Sequence, residues 1–495
     1  MKGEVVVAID LGTSACKVVA FDRTGKRVAY GRSTYRSMAD GAGRVEQNPV
    51  VWWRGVAAAL RSAGIAGIAR RVAGYSVSSL RAAVLAVDSK GRPLSAAILA
   101  PDARAGAEAN FLAQRCGEQF LYDATGLRPG TYSSLARILW LKKTNPKVFA
   151  KTTRIVGAQE YLVRRLCGTT VMDRSHASRS LCLNVRSKSW DQEILEAAGL
   201  PADLFPPLVD SGVIVGELTP AASRALGIPP APVVAAGGDQ MCASVGLGAV
   251  RDGQVTINHG TGSFVEAPAT QPNFDPLRKI LLSVHVLPNR WIQECPMLST
   301  GRLVEDMVRS LGPARADFRA IVDASLEPTA SGDCSEPLIV LPYHAGSTAP
   351  HWEPGLRGAL WGLQSHHRIT DLVRSLLCSI LFDLRRCIEL LPIKPREIVV
   401  GGGLAHLENF NQMQADIYGV PVARTSEPEA TALGSAILGY TALGYYPSPD
   451  AAAREMVHPL ETSRRVPRKQ ARADFAEMFE AQGRVLALAL ARAKG

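Results

Sequence analysis

Residues 5–14 read Val5-Val6-Val7-Ala8-Ile9-Asp10-Leu11-Gly12-Thr13-Ser14. Five apolar residues, mostly β-branched, predict a buried strand. Asp10 ends that run, and Gly12-Thr13-Ser14 forms a turn. Lys17 to Phe21 predicts a returning strand, Asp22 to Lys26 a second turn, and Arg27 to Tyr30 a third strand. The chain therefore opens as a β-meander with a small polar first turn. Such a turn can offer successive N–H groups and hydroxyls to a phosphate, and Gly12 lets the backbone come close. Lys17 adds positive charge, and Asp10 at the strand end is placed to hold Mg²⁺ through water. The same residues also fit an ordinary hairpin with a polar turn.

A second stretch repeats the pattern. Val255 to His259, the turn Gly260-Thr261-Gly262 and Ser263-Phe264-Val265 again read as strand, glycine-threonine turn and strand. Gly260 lies half a chain length after Gly12. The repeat suggests two similar domains, each offering a phosphate-binding hairpin to a shared cleft. A third glycine cluster, Gly401-Gly402-Gly403, follows the strand Arg396 to Val400 and precedes a helix from Asn409 to Tyr418. A flat ring or a phosphate can lie against such a loop. The sequence holds no G-x-x-x-x-G-K-[ST], and no G-x-G-x-x-G follows the first strand.

Pro232 to Ala236 predicts another strand, followed by Gly237-Gly238-Asp239-Gln240 and a helix from Met241. A carboxylate there sits at the C-terminal edge of a sheet, where ligands bind in open α/β folds. It can accept a proton from a hydroxyl that attacks a phosphoryl group. The local sequence fits a plain helix N-cap equally well. In Glu46-Gln47-Asn48-Pro49, Asn48 reads as N-cap and Pro49 as the first helical residue. Trp53, Val56 and Leu60 form that helix's apolar face, and Glu46 and Gln47 stay on the preceding loop. There they can meet a polyhydroxy ligand or serve only as capping polarity. Asp102 and Arg104 can pair with each other or orient a ligand, and a structural ion pair is the expectation. Val373, Leu376, Leu377, Ile380, Leu384, Ile388 and Leu391 repeat at helical spacing and predict core. His366-His367 reads as a loop pair without metal-like spacing.

Composition bounds the rest. The chain has 495 residues with 47% hydrophobic content, enough for more than one domain. No run approaches the ~18 apolar residues of a membrane span. The start, Met1-Lys2-Gly3-Glu4-Val5, is too short in apolar residues and too acidic for a signal peptide, so a cytoplasmic location is expected. The 9 cysteines are scattered without C-x-x-C, which predicts buried thiols rather than zinc ligands or disulfides. The net charge of +11 reads as a solvated basic surface, because no aromatic residues interleave with the densest run, Arg464 to Arg472. Neither a nucleic-acid nor a membrane partner is expected, and a homodimer stays open.

Taken in order, these residues resemble the FGGY carbohydrate kinases of the actin/hexokinase/Hsp70 superfamily, over roughly residues 5–445. Asp10 to Ser14 with Lys17 is similar to the family's first phosphate motif, and Gly260 to Ser263 to its second. Glu46-Gln47-Asn48-Pro49 with Trp52-Trp53 resembles its EQxPxxWW segment. Arg137 to Leu141 resembles K-L-x-W-L with arginine first. Gly238-Asp239-Gln240 matches the catalytic GDQ. Pro342-Tyr343, Gly346, Pro350-His351-Trp352 and Arg357-Gly358 resemble PYxxGxxxPxWxxxxRG, and Gly401 to Gly403 the adenosine loop.

The resemblance implies an α/β fold of two ribonuclease-H-like domains with a nucleotide cleft between them. It places an N-terminal domain at 1–248, a C-terminal one at 249–445 and a helical extension at 446–495. It implies ATP and Mg²⁺ as cofactors. Asp239 would be the catalytic base. Asp10, Gly12, Thr13, Ser14, Lys17, Gly260, Thr261, Gly301, Gly402, Gly403 and Asn409 would hold the nucleotide. Arg81, Tyr132, Asp239 and Gln240 would meet the acceptor, and Asp10 with Asp239 the metal, through water.

The acceptor side departs from the family's pattern. Xylulokinases carry Met-His at about Arg81-Ala82, and glycerol kinases Arg-Glu. The tryptophan usual before D-x-R is Ala100 here. The missing glutamate and tryptophan argue against glycerol, although Tyr132 and Gln240 resemble glycerol-kinase contacts. Leu80-Arg81 and Val284 to Pro288 are similar to the autoinducer-2 kinase branch. The expected activity is phosphorylation of a small sugar, ketose or polyol, xylulose-like or a short deoxyketose. The alternatives are a sugar- and ATP-binding sensor or an actin-like ATPase, and glycerol as a substrate.

Overall fold

A computed structural model describes residues 4–313, 317–327, 337–344 and 346–493. They form two compact units that interleave along the chain. The first comprises residues 1–251, 268–292 and 429–458; the second comprises residues 252–267, 293–428 and 459–495. Against the expected segments 1–248, 249–445 and 446–495, residues 268–292 and 429–458 pack with the first unit. Helices do occur beyond residue 445, at Pro449–Met456 and Lys469–Ala493.

The first unit is built on a six-stranded sheet. Its strands run in the order 213–217, 232–238, 72–79, 5–11, 15–22 and 27–34. The three central strands are parallel neighbours, and a hairpin pairs Val5–Leu11 with Ala15–Asp22. Every residue of Val5–Leu11 is buried, because helices cover both faces. Val5, Val7, Ile9 and Leu11 pack with Trp52, Val56 and Leu60 on one face. Val6, Ala8, Val19 and Phe21 pack with Leu433, Ala436, Ile437 and Tyr440 on the other. Each such aliphatic side chain contributes about 1.5–3 kcal/mol when fully buried.

The helices Asp239–Gly246 and Ala430–Ala442 cross at two glycines. A Cβ on Gly434 would lie 1.8 Å from the Cys242 carbonyl oxygen, and one on Gly246 would lie 1.9 Å from that of Ala430. Only hydrogen fits at this crossing, so backbone packs directly on backbone. Ser76 of the central strand donates to the Ser435 carbonyl at 2.6 Å and fastens the second helix to the sheet.

The second unit repeats the opening motif. Val255–His259 pairs antiparallel with Ser263–Ala269 and parallel with Ile398–Gly402, which pairs in turn with Val422–Ala423. The long apolar stripe lies on the helix Ile369–Leu390, with Val373, Leu376, Leu377, Ile380 and Leu384 fully buried as expected. The helix expected at Asn409 begins at Glu408, and Gly401-Gly402 end the strand rather than forming a free loop.

Three local expectations need correction. The helix after Asn48 spans Val50–Ser62 with Pro49 at its cap, while Asn48 Oδ1 accepts from the Val50 N–H at 3.0 Å. Its buried tryptophan is Trp52; Trp53 is half-buried and stacks on Arg165 at 4.2 Å. Glu46 and Gln47 lie in the strand Val45–Gln47, not on a loop. Gln47 is fully buried, giving its amide hydrogens to the Thr13 carbonyl (2.6 Å) and taking the Trp52 indole N–H (2.6 Å). Glu46 pairs with Arg44 and Arg104. Asp102 and Arg104 do form the expected ion pair, Nη2 to Oδ2 at 2.7 Å.

Candidate active site

The first unit's site forms where its parallel strands end. Asp10 is in register with Ser78, and Gly238 with Ser79. Asp10, the residues following Ser79 and the residue following Gly238 thus reach the same C-terminal edge of the sheet, where ligands bind in open α/β folds. The helix begins at Asp239 itself, with Gly238 at the cap, so Asp239 is not the N-cap. Its carboxylate accepts from the Gln240 N–H at 2.8 Å and remains partly exposed. Arg81 Nε stands 3.8 Å from Asp239 Oδ1. Arg81 is buried, and a Cβ on Gly238 would lie 2.5 Å from its Cδ, so glycine there makes room for the guanidinium stem. Ala82 beside it has φ 61°, an uncommon conformation for a residue with a Cβ.

The glycine-threonine turn stands at the same edge. Gly12 N–H bonds the Ala15 carbonyl at 2.9 Å, which closes the turn, and Thr13 and Ser14 are exposed. Lys17 Nζ is 2.5 Å from Glu429 Oε2. Burial opposes the charge on Lys17, but Glu429 outweighs it and raises the lysine above its ordinary value. Burial pushes the Asp10 carboxyl up to about 7; Lys17 opposes this, while Asp239 and Glu429 add to it. Asp10, Asp239, Glu429 and Lys17 thus act on one another electrostatically at this edge.

Tyr132 is less available than its expected role suggests. Its hydroxyl donates to the Arg128 carbonyl at 2.6 Å, and burial raises its ionisation. Arg179 lies 5.8 Å from its ring centroid. Arg137, which stands where the family motif has lysine, is fully buried and bonds the Tyr132 carbonyl at 2.9 Å; burial lowers it to about 9.

In the second unit the Gly260-Thr261 turn is exposed and closed by Gly260 N–H on the Gly262 carbonyl at 2.8 Å. Gly301 opens the helix Gly301–Leu311 against it, where a Cβ would lie 2.4 Å from the Gly260 carbonyl. Gly402, with φ +85°, backs onto His259, its register partner, where a Cβ would lie 2.1 Å from the carbonyl. Gly260, Thr261, Gly301 and Gly402 are therefore brought together. Gly403 follows on the exposed side, and Asn409 is exposed on its helix, 3.4 Å from Glu327. His259 is buried between Ser263 (2.9 Å) and Gln414 (2.8 Å); burial lowers it to about 4, so it is neutral. His366 and His367 stack on one another at 4.4 Å.

Residues 5–246 match the N-terminal domain, and residues 255–443 the C-terminal domain, of the FGGY family of carbohydrate kinases. The chain belongs to this family. Among FGGY kinases it is 28% identical to the xylulose kinase of Escherichia coli (strain K12), over 92% of this chain and 93% of that protein. It is 26% identical to the gluconokinase of Bacillus subtilis (strain 168), covering 90% and 89%. Two solved structures from Lactobacillus acidophilus, a ligand-bound xylulose kinase and a gluconate kinase, each share its fold at TM-score 0.87 and 23% identity. They cover 97% and 98% of both chains respectively. Among the described residues no helix is long and apolar enough to cross a membrane.

As an FGGY kinase, the chain phosphorylates an alcohol group of a carbohydrate. Two groups near this site were not singled out from sequence. Glu429 lies 412 residues from Lys17 and carries no local motif. Asp173 and His176 sit behind Gly238, and their only sequence signal was the cap pattern of aspartate before a short helix, Arg174–Ala177.

Proposed function

We propose that this kinase transfers the γ-phosphoryl group of MgATP to a hydroxyl of a small sugar, with a xylulose-like ketose or short deoxyketose as acceptor. The observation that carries this reading is Asp239, ionisable and partly exposed at a sheet edge, with the Arg81 guanidinium 3.8 Å away. Arg81 favours the charged carboxylate, which is the form that accepts a proton. Asp239 takes the proton from the acceptor hydroxyl, and that oxygen attacks the γ-phosphorus in line as ADP leaves. Thr13, Ser14 and the N–H groups of the first turn hold phosphate oxygens. Lys17, already fixed by Glu429, contributes charge. In the second unit, Gly260, Thr261 and Gly301 take up phosphate, and Gly402, Gly403 and Asn409 the adenosine.

Asp10 and Asp239 would hold Mg²⁺ through water, and the ion would neutralise charge on the phosphates. Arg81 and Gln240 orient the acceptor, so the protein's contribution is placement and charge stabilisation. The family's kinship to xylulose kinases supports the ketose. A sugar acid is the second acceptor class, because Arg128 and Arg179 both act on Tyr132 and gluconokinases are also relatives.

A coupled ADP-release assay over ketoses, polyols and aldonates tests the proposal. ATP consumption that rises with xylulose or a deoxyketose supports it. Consumption indifferent to every acceptor favours an ATPase or sensor.

A further inference from the structure

Behind the catalytic edge lies a buried polar network that the proposed reaction does not use. Asp173 is buried at the N-terminus of the short helix Arg174–Ala177. It accepts from the Ser175 N–H (2.9 Å), the Ser175 hydroxyl, the Ser211 hydroxyl (2.7 Å) and His176 Nδ1 (2.5 Å). Ser175 Oγ in turn accepts the Gly238 N–H at 2.9 Å, one residue before Asp239. On its other side, His176 Nε2 meets Ser79 Oγ at 3.0 Å, two residues before Arg81. One carboxylate therefore reaches the ends of both strands that present Arg81 and Asp239.

The hydrogen bonds around the imidazole suit its charged form. Ser79 has one hydroxyl hydrogen, and the Leu80 carbonyl stands 3.0 Å from its oxygen. With that hydrogen on the Leu80 carbonyl, Ser79 Oγ accepts from His176 Nε2. Asp173, saturated with donors, is ionised, so Nδ1 carries a hydrogen too. This arrangement suits an imidazolium. Burial opposes that charge, but Asp173 with Glu160 and Asp239 outweighs it and raises His176 to about 9. Glu160, Asp173 and His176 bring oxygen and nitrogen atoms within 4.8 Å of one another. The Asp173 and His176 atoms are bonded to each other, however, which makes the group an ion pair rather than a ligand set.

We infer that Asp173 and His176 are positioning residues, a charged clamp that holds the Ser79-Leu80-Arg81 and Gly238-Asp239 segments at their working separation. The fit is tight: a Cβ on Gly237 would lie 2.7 Å from Ser175 Oγ and 3.3 Å from Asp173 Oδ1. A displacement of about 1 Å in such a site can cost a hundredfold in rate. The inference rests on the reading of Asp239 and Arg81 given above.

The test uses the full chain and two substitutions. Ser79→Ala cuts the link to the Arg81 strand and leaves the ion pair whole. Asp173→Asn breaks the ion pair and weakens the hold on Ser175. The first readout is hydrogen–deuterium exchange of peptides covering 76–83 and 234–241, which needs no acceptor. The clamp predicts exchange about tenfold faster in the first peptide for Ser79→Ala and in both for Asp173→Asn. The second readout is turnover with MgATP and D-xylulose or D-gluconate. Here kcat falls about tenfold for Ser79→Ala and about a hundredfold for Asp173→Asn, while KM for ATP stays within twofold. Folded variants with wild-type exchange in both peptides overturn the inference. So does unchanged kcat, or a KM for ATP that rises in step with the loss of kcat. If Asp173→Asn does not fold, Ser79→Ala decides alone. A wild-type chain that turns over neither probe removes xylulose and gluconate as acceptors, and the exchange data still judge the clamp.

Discussion

Arg81 and Asp239 approach to 3.8 Å from the ends of two strands that are parallel neighbours in one sheet. Their closeness follows from register, since Ser79 lies opposite Gly238 and each strand then turns toward the same edge. Asp239→Asn keeps the shape and removes the proton acceptor. We expect it to fold, to bind ATP within twofold of wild type, and to lose about 10²–10⁴ in kcat. Calorimetric ATP titration beside the coupled assay checks this, and near-normal turnover removes the assignment.

The helix crossing at Gly246 and Gly434 makes a different prediction. Gly434→Ala drives a methyl to within 1.8 Å of the Cys242 carbonyl, so the two helices must part. Overpacking of this kind costs about 1–3 kcal/mol. Both catalytic-edge residues at the helix starts, Asp239 and Glu429, move with it. Urea unfolding should show a lowered midpoint, together with a fall in kcat that Ala432→Gly on the same helix does not reproduce.

Acidity at His176 sets a pH window for stability. Its folded value, about 9, lies above the ordinary 6.5. The folded state therefore binds more protons than the unfolded one between these values, and stability falls as pH rises. The stabilisation is fully present below pH 6.5 and is lost as pH passes through 9, a loss on the order of 3 kcal/mol. Denaturant midpoints at pH 6, 7.5 and 9 should decline in wild type. In His176→Gln that slope should be reduced.

Nucleotide binding gives a fourth check. A ligand at a hundred times its Kd adds about 2.7 kcal/mol to stability. MgATP should raise the melting temperature more than ATP with a chelator does. In Asp10→Asn the metal-dependent part of the shift should vanish while the metal-free part remains. A full metal-dependent shift in that variant would place the ion elsewhere.

The hairpins at Gly12 and Gly260 were legible because their signals are local: β-branched runs interrupted by glycine and threonine. The place of Asp239, between a strand and a helix, was legible for the same reason. The Trp52 and Trp53 positions show the limit of a local reading, since both stand at helical spacing from Val56 and Leu60 and only packing against the sheet decides which indole is buried. Gln47 shows another limit, because its partners Thr13 and Ser37 come from other parts of the chain. Lys17 with Glu429, Gly246 with Gly434, and Ser79 with His176 are contacts made by tertiary packing alone. No spacing rule in one sequence reports them.

The placement of residues 429–458 in the first unit has a consequence for biosynthesis. Val6, Ala8, Val19 and Phe21 wait for Leu433, Ala436 and Ile437, which emerge from the ribosome more than 400 residues later. At about 5–20 residues per second, one side of that sheet stays open to solvent for roughly 20–90 seconds. Nascent chains halted before residue 429 should therefore bind holdase chaperones, and those released after residue 458 should escape them.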